Sequence, residues 1–168
     1  MTRGAKLQTG DVFTIPLDEN RIGVGQVVAT YLDDGYYFAV FDATFPPDTS
    51  LDLDSLVREP IAFLTLSLDA LIHAGHWVVV GRAPVTDDLP LPAYKEMVGG
   101  PERVDVVDYS GRRRRRASAA EAGTLPNRSI VAPARLEKAL RAHCGLEPWQ
   151  EAFAKLRPSA SPTTAKLF

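Results

Sequence analysis

The sequence contains little that would crosslink the chain, anchor it in a membrane or export it. Its single cysteine, Cys144, excludes an intramolecular disulfide and a zinc site framed by cysteines, and it agrees with a reducing compartment. The most apolar segment, residues 61–72, is interrupted by polar residues and is shorter than the roughly 20 residues that span a bilayer. Residues 1–7 lack the apolar stretch of about 7–15 residues that a secretory signal requires. We therefore expect a cytoplasmic protein with no membrane contact.

Residues that carry catalysis or bind metals are also scarce. The chain has three histidines and no G-x-S-x-G motif of a serine hydrolase. Asp69, His73 and His76 would form a row on one continuous helix, but Gly75 interrupts that helix and a catalytic zinc needs three well-placed ligands. His143 directly precedes the cysteine, and adjacent helical residues point about 100° apart, so the two cannot act as base and nucleophile. We expect no catalytic residue, no metal and no cofactor.

What the sequence does contain is the pattern of a folded, sheet-rich domain. Apolar residues make up 45% and charged residues 24% of the 168 residues, which is typical of a single globular domain. Residues 10–17, 22–31 and 36–42 are rich in alternating, β-branched and aromatic residues, and turn residues separate them, so they predict three antiparallel strands. Gly23 and Gly25 fall on one face of the second strand, where they would allow close packing or a strong bend.

The rest of the chain predicts further strands and three helices. Residues 43–60 lack periodicity and indicate a surface loop, whereas residues 61–66 fit either a strand or a helix. A short helix is expected at residues 68–74, and residues 77–81 indicate a buried strand. Later elements follow the same logic: a strand at residues 104–109, an amphipathic helix from Pro133 to just before Gly145, and a shorter helix opened by Pro148.

These elements predict an α+β fold. We expect a strongly bent, mainly antiparallel sheet or partly open barrel of five to six strands, with one short helix and two C-terminal helices. A single domain over residues 1–157 would be followed by a flexible tail over residues 158–168.

The formal charge of the two parts of the chain differs in sign. Residues 1–111 hold 17 Asp and Glu against 7 Lys and Arg, a formal charge of -10, whereas residues 112–168 hold 4 against 12, a charge of +8. This asymmetry either steers charged partners or is largely neutralised where the two parts pack together.

Acidic pairs in predicted turns and loops are the candidate partner-binding residues. Such exposed carboxylates are usually only solvated, but together they could form an acidic contact surface. The candidates are Asp33, Asp34, Asp52, Asp54, Asp87 and Asp88.

Five consecutive arginines, from Arg112 to Arg116, form the strongest charge run. Guanidinium groups so close together must stay hydrated or find anions. Nucleic-acid surfaces usually combine such charge with stacking aromatics, and Tyr109 is the only aromatic nearby in the sequence. The run therefore indicates a solvated turn or mobile loop more than a nucleic-acid site.

Several short motifs resemble the immunity protein 26 family of bacterial polymorphic toxin systems. They are GDVFTIPL at residues 10–17, Gly23-x-Gly25-Gln26-Val27, Gly75-His76-Trp77 with Val80-Gly81, and Pro90-Leu91-Pro92. The resemblance covers residues 8–95, and the C-terminal third matches only loosely. It implies a small protein that is encoded beside a toxin and protects the producing cell by binding that toxin. It carries over no catalytic residue.

The expected function is that of an immunity protein that occludes a cognate toxin without catalysis. Many toxins attack nucleic acids through basic clefts, so the acidic charge of residues 1–111 favours a nuclease as the toxin. The alternative is a nucleic-acid-binding regulator that uses the run from Arg112 to Arg116. The sequence leaves the oligomeric state open.

Overall fold

A computed structural model describes residues 6–100, 102–158 and 162–168. The described chain forms an α+β fold, as the sequence predicted, with two antiparallel sheets and no closed barrel. Its elements in chain order are β1 (Asp11–Asp18), β2 (Arg21–Tyr31), β3 (Gly35–Phe45), α1 (Leu53–Leu56), β4 (Ile61–Ser67), α2 (Ala70–His73), β5 (Val78–Arg82), β6 (Tyr94–Met97), β7 (Val104–Val107), β8 (Arg114–Arg116), α3 (Ala119–Thr124), α4 (Pro133–His143), a 3₁₀-helix (Glu151–Leu156) and α5 (Thr164–Leu167).

The larger sheet has five strands in the order β4-β3-β2-β1-β5, and every neighbouring pair is antiparallel. One face carries the alternating residues Phe13, Ile15 and Leu17, which pack together with Leu136 and Leu140 of α4. Because apolar burial is the main favourable term in folding, this contact between sheet and helix forms the principal core.

Gly23 and Gly25 explain how closely the core can pack. A Cβ atom at Gly23 would lie 2.5 Å from Leu140 Cδ2, and one at Gly25 would lie 2.6 Å from Phe13 Cζ. Any larger residue would collide with these side chains, so the close approach that the sequence predicted is confirmed.

The opposite face of the sheet is also covered, which is why β1 to β4 are buried over most of their length. Val12, Val24 and Phe41 pack against Leu56 and Val57 at the end of α1. Elsewhere on this face, a second apolar cluster contains residues of β2, β3 and β4 together with Tyr94 of β6.

The second sheet has three strands in the order β6-β7-β8, and the sequence did not predict it as a separate unit. Its strands are short, and the arginine run provides the edge strand β8. Arg114–Arg116 therefore form an ordered strand and not a mobile loop, whereas Arg112 and Arg113 lie in the connection from β7, and all five side chains are exposed to solvent.

Three local expectations need correction. Residues 43–60 are not entirely loop, because β3 continues to Phe45 and α1 forms at Leu53–Leu56. The short helix α2 begins at Ala70 rather than at residue 68, because Ser67 belongs to β4 and donates to Val131 O. Trp77 is buried, but the strand that follows it is exposed, since β5 lies at the edge of the sheet.

The described end of the chain packs against the loop before β6. The Thr164 N–H donates to Leu91 O at 2.8 Å, and its hydroxyl donates to Pro92 O, also at 2.8 Å. Residues 159–161 of the predicted tail lie outside the described residues, and the division of the chain after residue 157 stays a prediction. No helix of the described residues is long and apolar enough to cross a membrane.

Candidate protein-binding site

Asp33 and Asp34 occupy the exposed turn between β2 and β3. Asp33 lines a cavity of about 630 Å³ that lies between this turn and the second sheet. The same cavity is lined by Arg112, Arg114 and Arg128, so this acidic turn faces guanidinium groups of its own chain. The turn therefore stands at a boundary between negative and positive surface.

Asp52 and Asp54 belong to α1. Asp52 is the N-cap, and its carboxylate accepts hydrogen bonds from the Ser55 hydroxyl at 2.8 Å and from the Ser55 backbone N–H at 3.4 Å. These hydrogen bonds hold the pKa of Asp52 below its ordinary value. Asp54 lies in the first helical turn, where a negative charge suits the helix dipole. Both residues are exposed, but Asp52 also has a structural role.

Asp87 and Asp88 form an exposed turn in the connection between β5 and β6. Within the described part of the chain, no hydrogen bond or ion pair is found for Asp87 or Asp88, and none connects the three acidic segments. The six candidate aspartates are thus exposed, but they lie on separate connections of the fold.

Three of the five arginines of the run are paired with carboxylates. Arg114 Nη2 lies 3.0 Å from Glu96 Oε1, and Arg115 makes a bidentate contact with Glu121 at 2.9 and 2.6 Å. Arg113 lies 3.7 Å from Asp108. These pairs neutralise much of the run, which weakens its use as a nucleic-acid surface.

The run also has an aromatic neighbour that the sequence order did not reveal. The guanidinium carbons of Arg113 and Arg115 lie 5.1 and 5.8 Å from the ring centroid of Phe168. These cation–π distances are within the favourable range and tie β8 to the C-terminal residue. Tyr109 is the only aromatic residue near the run in the sequence, but in the folded chain Phe168 also lies beside it.

Arg128 closes the inner wall of the cavity. Its guanidinium carbon lies 4.1 Å from the Tyr31 ring centroid and 4.6 Å from that of Tyr94, and its Nη2 donates to Asp108 O at 2.7 Å. The Nε atom is buried without a hydrogen-bond partner among the described residues. Sequence reasoning missed Arg128 because a single arginine in a loop gives no signal of the aromatic rings around it.

A pair of buried tyrosines lies behind Arg128. The Tyr37 hydroxyl donates to Tyr109 O at 2.6 Å and lies 3.5 Å from the Tyr94 hydroxyl. Burial, together with the neighbouring Tyr94, raises the pKa of Tyr37 well above its ordinary value, so the phenol stays neutral and donates. The inner wall is thus a fixed structural network.

The histidines are engaged in separate pairs with carboxylates. His73 Nε2 lies 2.7 Å from Asp69, and His76 Nε2 lies 2.8 Å from Glu137, so the row that these two histidines would form with Asp69 on one continuous helix is not assembled. No group of three potential metal ligands occurs among the described residues.

His143 does not activate the adjacent cysteine. Its Nε2 lies 2.8 Å from Asp42 Oδ1, and its Nδ1 lies 3.4 Å from Arg157 Nη2, so both ring nitrogens are occupied. Burial raises the pKa of the Cys144 thiol, which disfavours the reactive thiolate. This arrangement is typical of a structural contact and not of a nucleophile with its base.

An exposed apolar edge is the second feature that the sequence did not reveal. Val78, Val79 and Val80 of β5 are 50%, 39% and 46% exposed. An uninterrupted run of valines is typical of a buried strand, and the same run occurs here at a sheet edge. Only the order of the strands distinguishes the two.

Comparison with known proteins adds one finding. A model of the family described as immunity protein 26 matches residues 8–100, which is more than half of the chain. Neither the curated proteins nor the solved structures include a match.

Proposed function

Because the chain belongs to the immunity protein 26 family, we propose that it binds a cognate bacterial toxin and neutralises it by occlusion, without catalysis of its own. The family match over residues 8–100 is the observation that carries this proposal. Inhibition by binding needs a rigid scaffold and an accessible surface. The five-stranded sheet, packed on both faces, supplies the scaffold.

The proposed contact surface includes the acidic connections of residues 1–111. Asp33 and Asp34, Asp54, and Asp87 and Asp88 are exposed, and the part of the chain that contains them has a formal charge of -10. A basic cleft, such as that of a nuclease, would be attracted to this surface and blocked by it. We expect this interaction to occur in the cytoplasm of the cell that produces the toxin, because the nucleic acid of that cell must be protected from the nuclease.

The chemistry of the described residues supports a role in binding. The three histidines each contact a carboxylate, and the cysteine thiol is held in its neutral form by burial. General acid–base catalysis would require a titratable group free to reach a substrate. His76 and His143 instead connect separate parts of the fold, and His73 contacts the N-cap residue of its own helix.

The proposal is tested with the toxin encoded in the neighbouring reading frame. Cells that express this toxin should survive when the immunity protein is co-expressed, and the purified pair should form a stoichiometric complex of defined mass. A failure of both rescue and complex formation would reject the proposal for that toxin.

A parallel binding assay separates this function from the nucleic-acid alternative. Affinity for DNA or RNA would fall steeply with salt and would weaken further in an Arg112→Ser, Arg116→Ser variant. These two arginines are suitable because no ion pair of their side chains is found among the described residues. The toxin-binding proposal expects the variant to rescue cells as well as the wild type.

A further inference from the structure

The outer edge of β5 is an edge of the larger sheet that no other strand of the described residues covers. Within the described residues, β5 pairs with β1 on one side and with no strand on the other. Val78 and Val79 pair with consecutive residues of β1, so their side chains point to opposite faces of the sheet. Both are exposed, and Val80 beside them is exposed as well. We call Val78, Val79 and Val80, with their outward backbone groups, the valine edge.

The opposite edge of the same sheet, at β4, is partly covered by another segment of the chain. At β4, the Val131 N–H donates to Leu66 O at 2.9 Å, and the Ser67 hydroxyl donates to Val131 O at 2.6 Å. The chain thus covers part of this edge with its own segment. Edge strands that remain open usually carry lysine or proline, which discourage pairing with other chains. The valine edge has neither, although a bulge at Val80 limits the length of its regular pairing.

The size of the valine edge argues against a second copy of this chain as its occupant. A stable interface buries about 800 Å² on each partner, and three half-exposed valines supply only a small part of that area. A partner that adds a strand here must therefore make further contacts beside it. The surface next to the edge indicates what those contacts are.

Helix α1 flanks the C-terminal end of β5. A Cβ atom at Gly81 would lie 2.6 Å from Leu53 Cδ1, so the two elements are in direct contact. Leu53 stands between the exposed aspartates Asp52 and Asp54. The uncovered apolar edge is thus continuous with one of the acidic segments of the proposed contact surface.

We propose that the valine edge receives an extended segment of the cognate toxin, which adds a sixth strand to the sheet. This inference rests on the proposed function and specifies its docking site. The segment would be apolar where it meets the valines and basic where it passes α1, because opposite charges would then meet at Asp52 and Asp54. Backbone hydrogen bonds would supply affinity, and the valines and aspartates would supply specificity.

The test uses the full-length protein and a catalytically inactivated form of the toxin encoded next door. A Val78→Lys, Val80→Lys variant places at this edge the residue that commonly protects edges in other proteins. Its matched control is Ile130→Lys, since Ile130 is also 50% exposed but lies in the loop before α4. We expect at least a tenfold loss of toxin affinity in the double variant and less than a twofold change in the control.

A milder variant tests the same edge in case the two lysines disturb folding. Val79→Thr keeps the size and strand preference of valine while replacing a methyl group with a hydroxyl, and it should lower affinity about threefold. Hydrogen exchange then distinguishes strand addition from side-chain contact alone. Outward-facing amides within residues 78–80 should become protected when the wild-type complex forms.

The outcomes separate this inference from the proposed function. Wild-type affinity in both edge variants, or unchanged amide exchange in the complex, would overturn strand addition while leaving the immunity function intact. Absence of any complex with the wild type would reject both. A wild-type dimer that becomes monomeric in the double variant, with toxin affinity unchanged, would identify a second copy as the occupant and would also overturn the proposal.

Discussion

Trp77 connects the sheet to α4 through both its ring and its N–H group. The ring stacks on Phe13 with centroids 5.2 Å apart, and the indole nitrogen donates to Glu137 Oε1 at 3.1 Å. The residue is 1% exposed, so its loss would leave a cavity in the principal core. This side chain was predictable from the apolar run that it begins, but its hydrogen bond to a residue 60 positions away was not.

Replacing Trp77 with alanine should lower the free energy of unfolding by about 3–5 kcal/mol, the usual cost of removing a large buried aromatic ring. Urea denaturation measures this loss. Trp149→Ala is the matched control and should cost less than half as much, because Trp149 is 40% exposed. A loss below about 1 kcal/mol for Trp77→Ala would place the residue outside the core.

Among the elements, the contact between β8 and α3 depends on one carboxylate. Glu121 accepts two hydrogen bonds from Arg115 and one from the Ser118 backbone N–H, and the Ser118 hydroxyl accepts from the Glu121 N–H in return. This is a capping box that also binds the neighbouring strand. The Arg115 hydrogen bonds, followed by that from Ser118, lower the pKa of Glu121 to about 2.

This lowered pKa predicts a dependence of stability on pH. The folded-state pKa lies below the unfolded value of about 4.3, so the stabilisation is present above the unfolded value and is lost as the pH falls towards 2. Glu121→Gln should therefore reduce the decline in unfolding free energy between pH 5 and pH 2. Urea denaturation across this range measures the slopes, and an NMR titration should place the Glu121 midpoint near pH 2.

Glu19→Gln provides the control for that experiment, because Glu19 is an exposed turn residue with no ion pair among the described residues. Its variant should follow the wild-type slope. Parallel curves for wild type and Glu121→Gln would show that the Arg115 contact contributes nothing to the pH dependence.

The strand β8 is an element that the sequence pattern alone could not predict. The helix α4 was predictable, since Pro133 opens it and its apolar residues recur at helical spacing. Five arginines, in contrast, have no local preference for a strand. Their ordered conformation depends on contacts with Glu96 and Asp108, which other parts of the chain bring alongside the run. It also depends on a contact with Phe168 at the C-terminus of the chain.

At the scale of the whole molecule, the two oppositely charged parts of the sequence meet in the second sheet. Arg114 of the basic part contacts Glu96 of the acidic part, and Arg113 contacts Asp108. The charge asymmetry is therefore partly neutralised at this sheet, one of the two possibilities that the sequence left open. The acidic connections away from it keep their exposed charge.

The fold was more predictable than the candidate site because strand pairing depends on local patterns, whereas the relative positions of the loops do not. Strands β1 to β3 follow one another with short turns, so local patterns determine their pairing. The positions of Asp33, Asp54 and Asp87 relative to each other depend instead on how separate loops fold back on the sheet. A sequence pattern identifies such residues as exposed but does not determine which of them share a surface.

The acidic-surface proposal predicts an effect on the rate of toxin association. Three variants test it separately: Asp33→Lys with Asp34→Lys, Asp87→Lys with Asp88→Lys, and Asp54→Lys with Asp52→Ser. Serine at position 52 preserves an N-cap for α1 while removing the charge. Each variant should fold normally and associate roughly 3- to 10-fold more slowly at low salt, because peripheral charges act mainly on the on-rate.

Surface-capture kinetics at low and high salt provide the measurement, and Glu19→Lys with Glu151→Lys provides the control. This control changes the net charge by the same four units as either Asp-to-Lys pair but at exposed positions outside the acidic connections. Since salt screens these interactions, the difference between wild type and each acidic variant should shrink at high salt, whereas dissociation should change little. Equal slowing in the control would attribute the effect to net charge alone. Unchanged association in all three acidic variants would remove these aspartates from the contact surface, and toxin recognition would then have to rest on another part of the surface, with the valine edge as the first region to test.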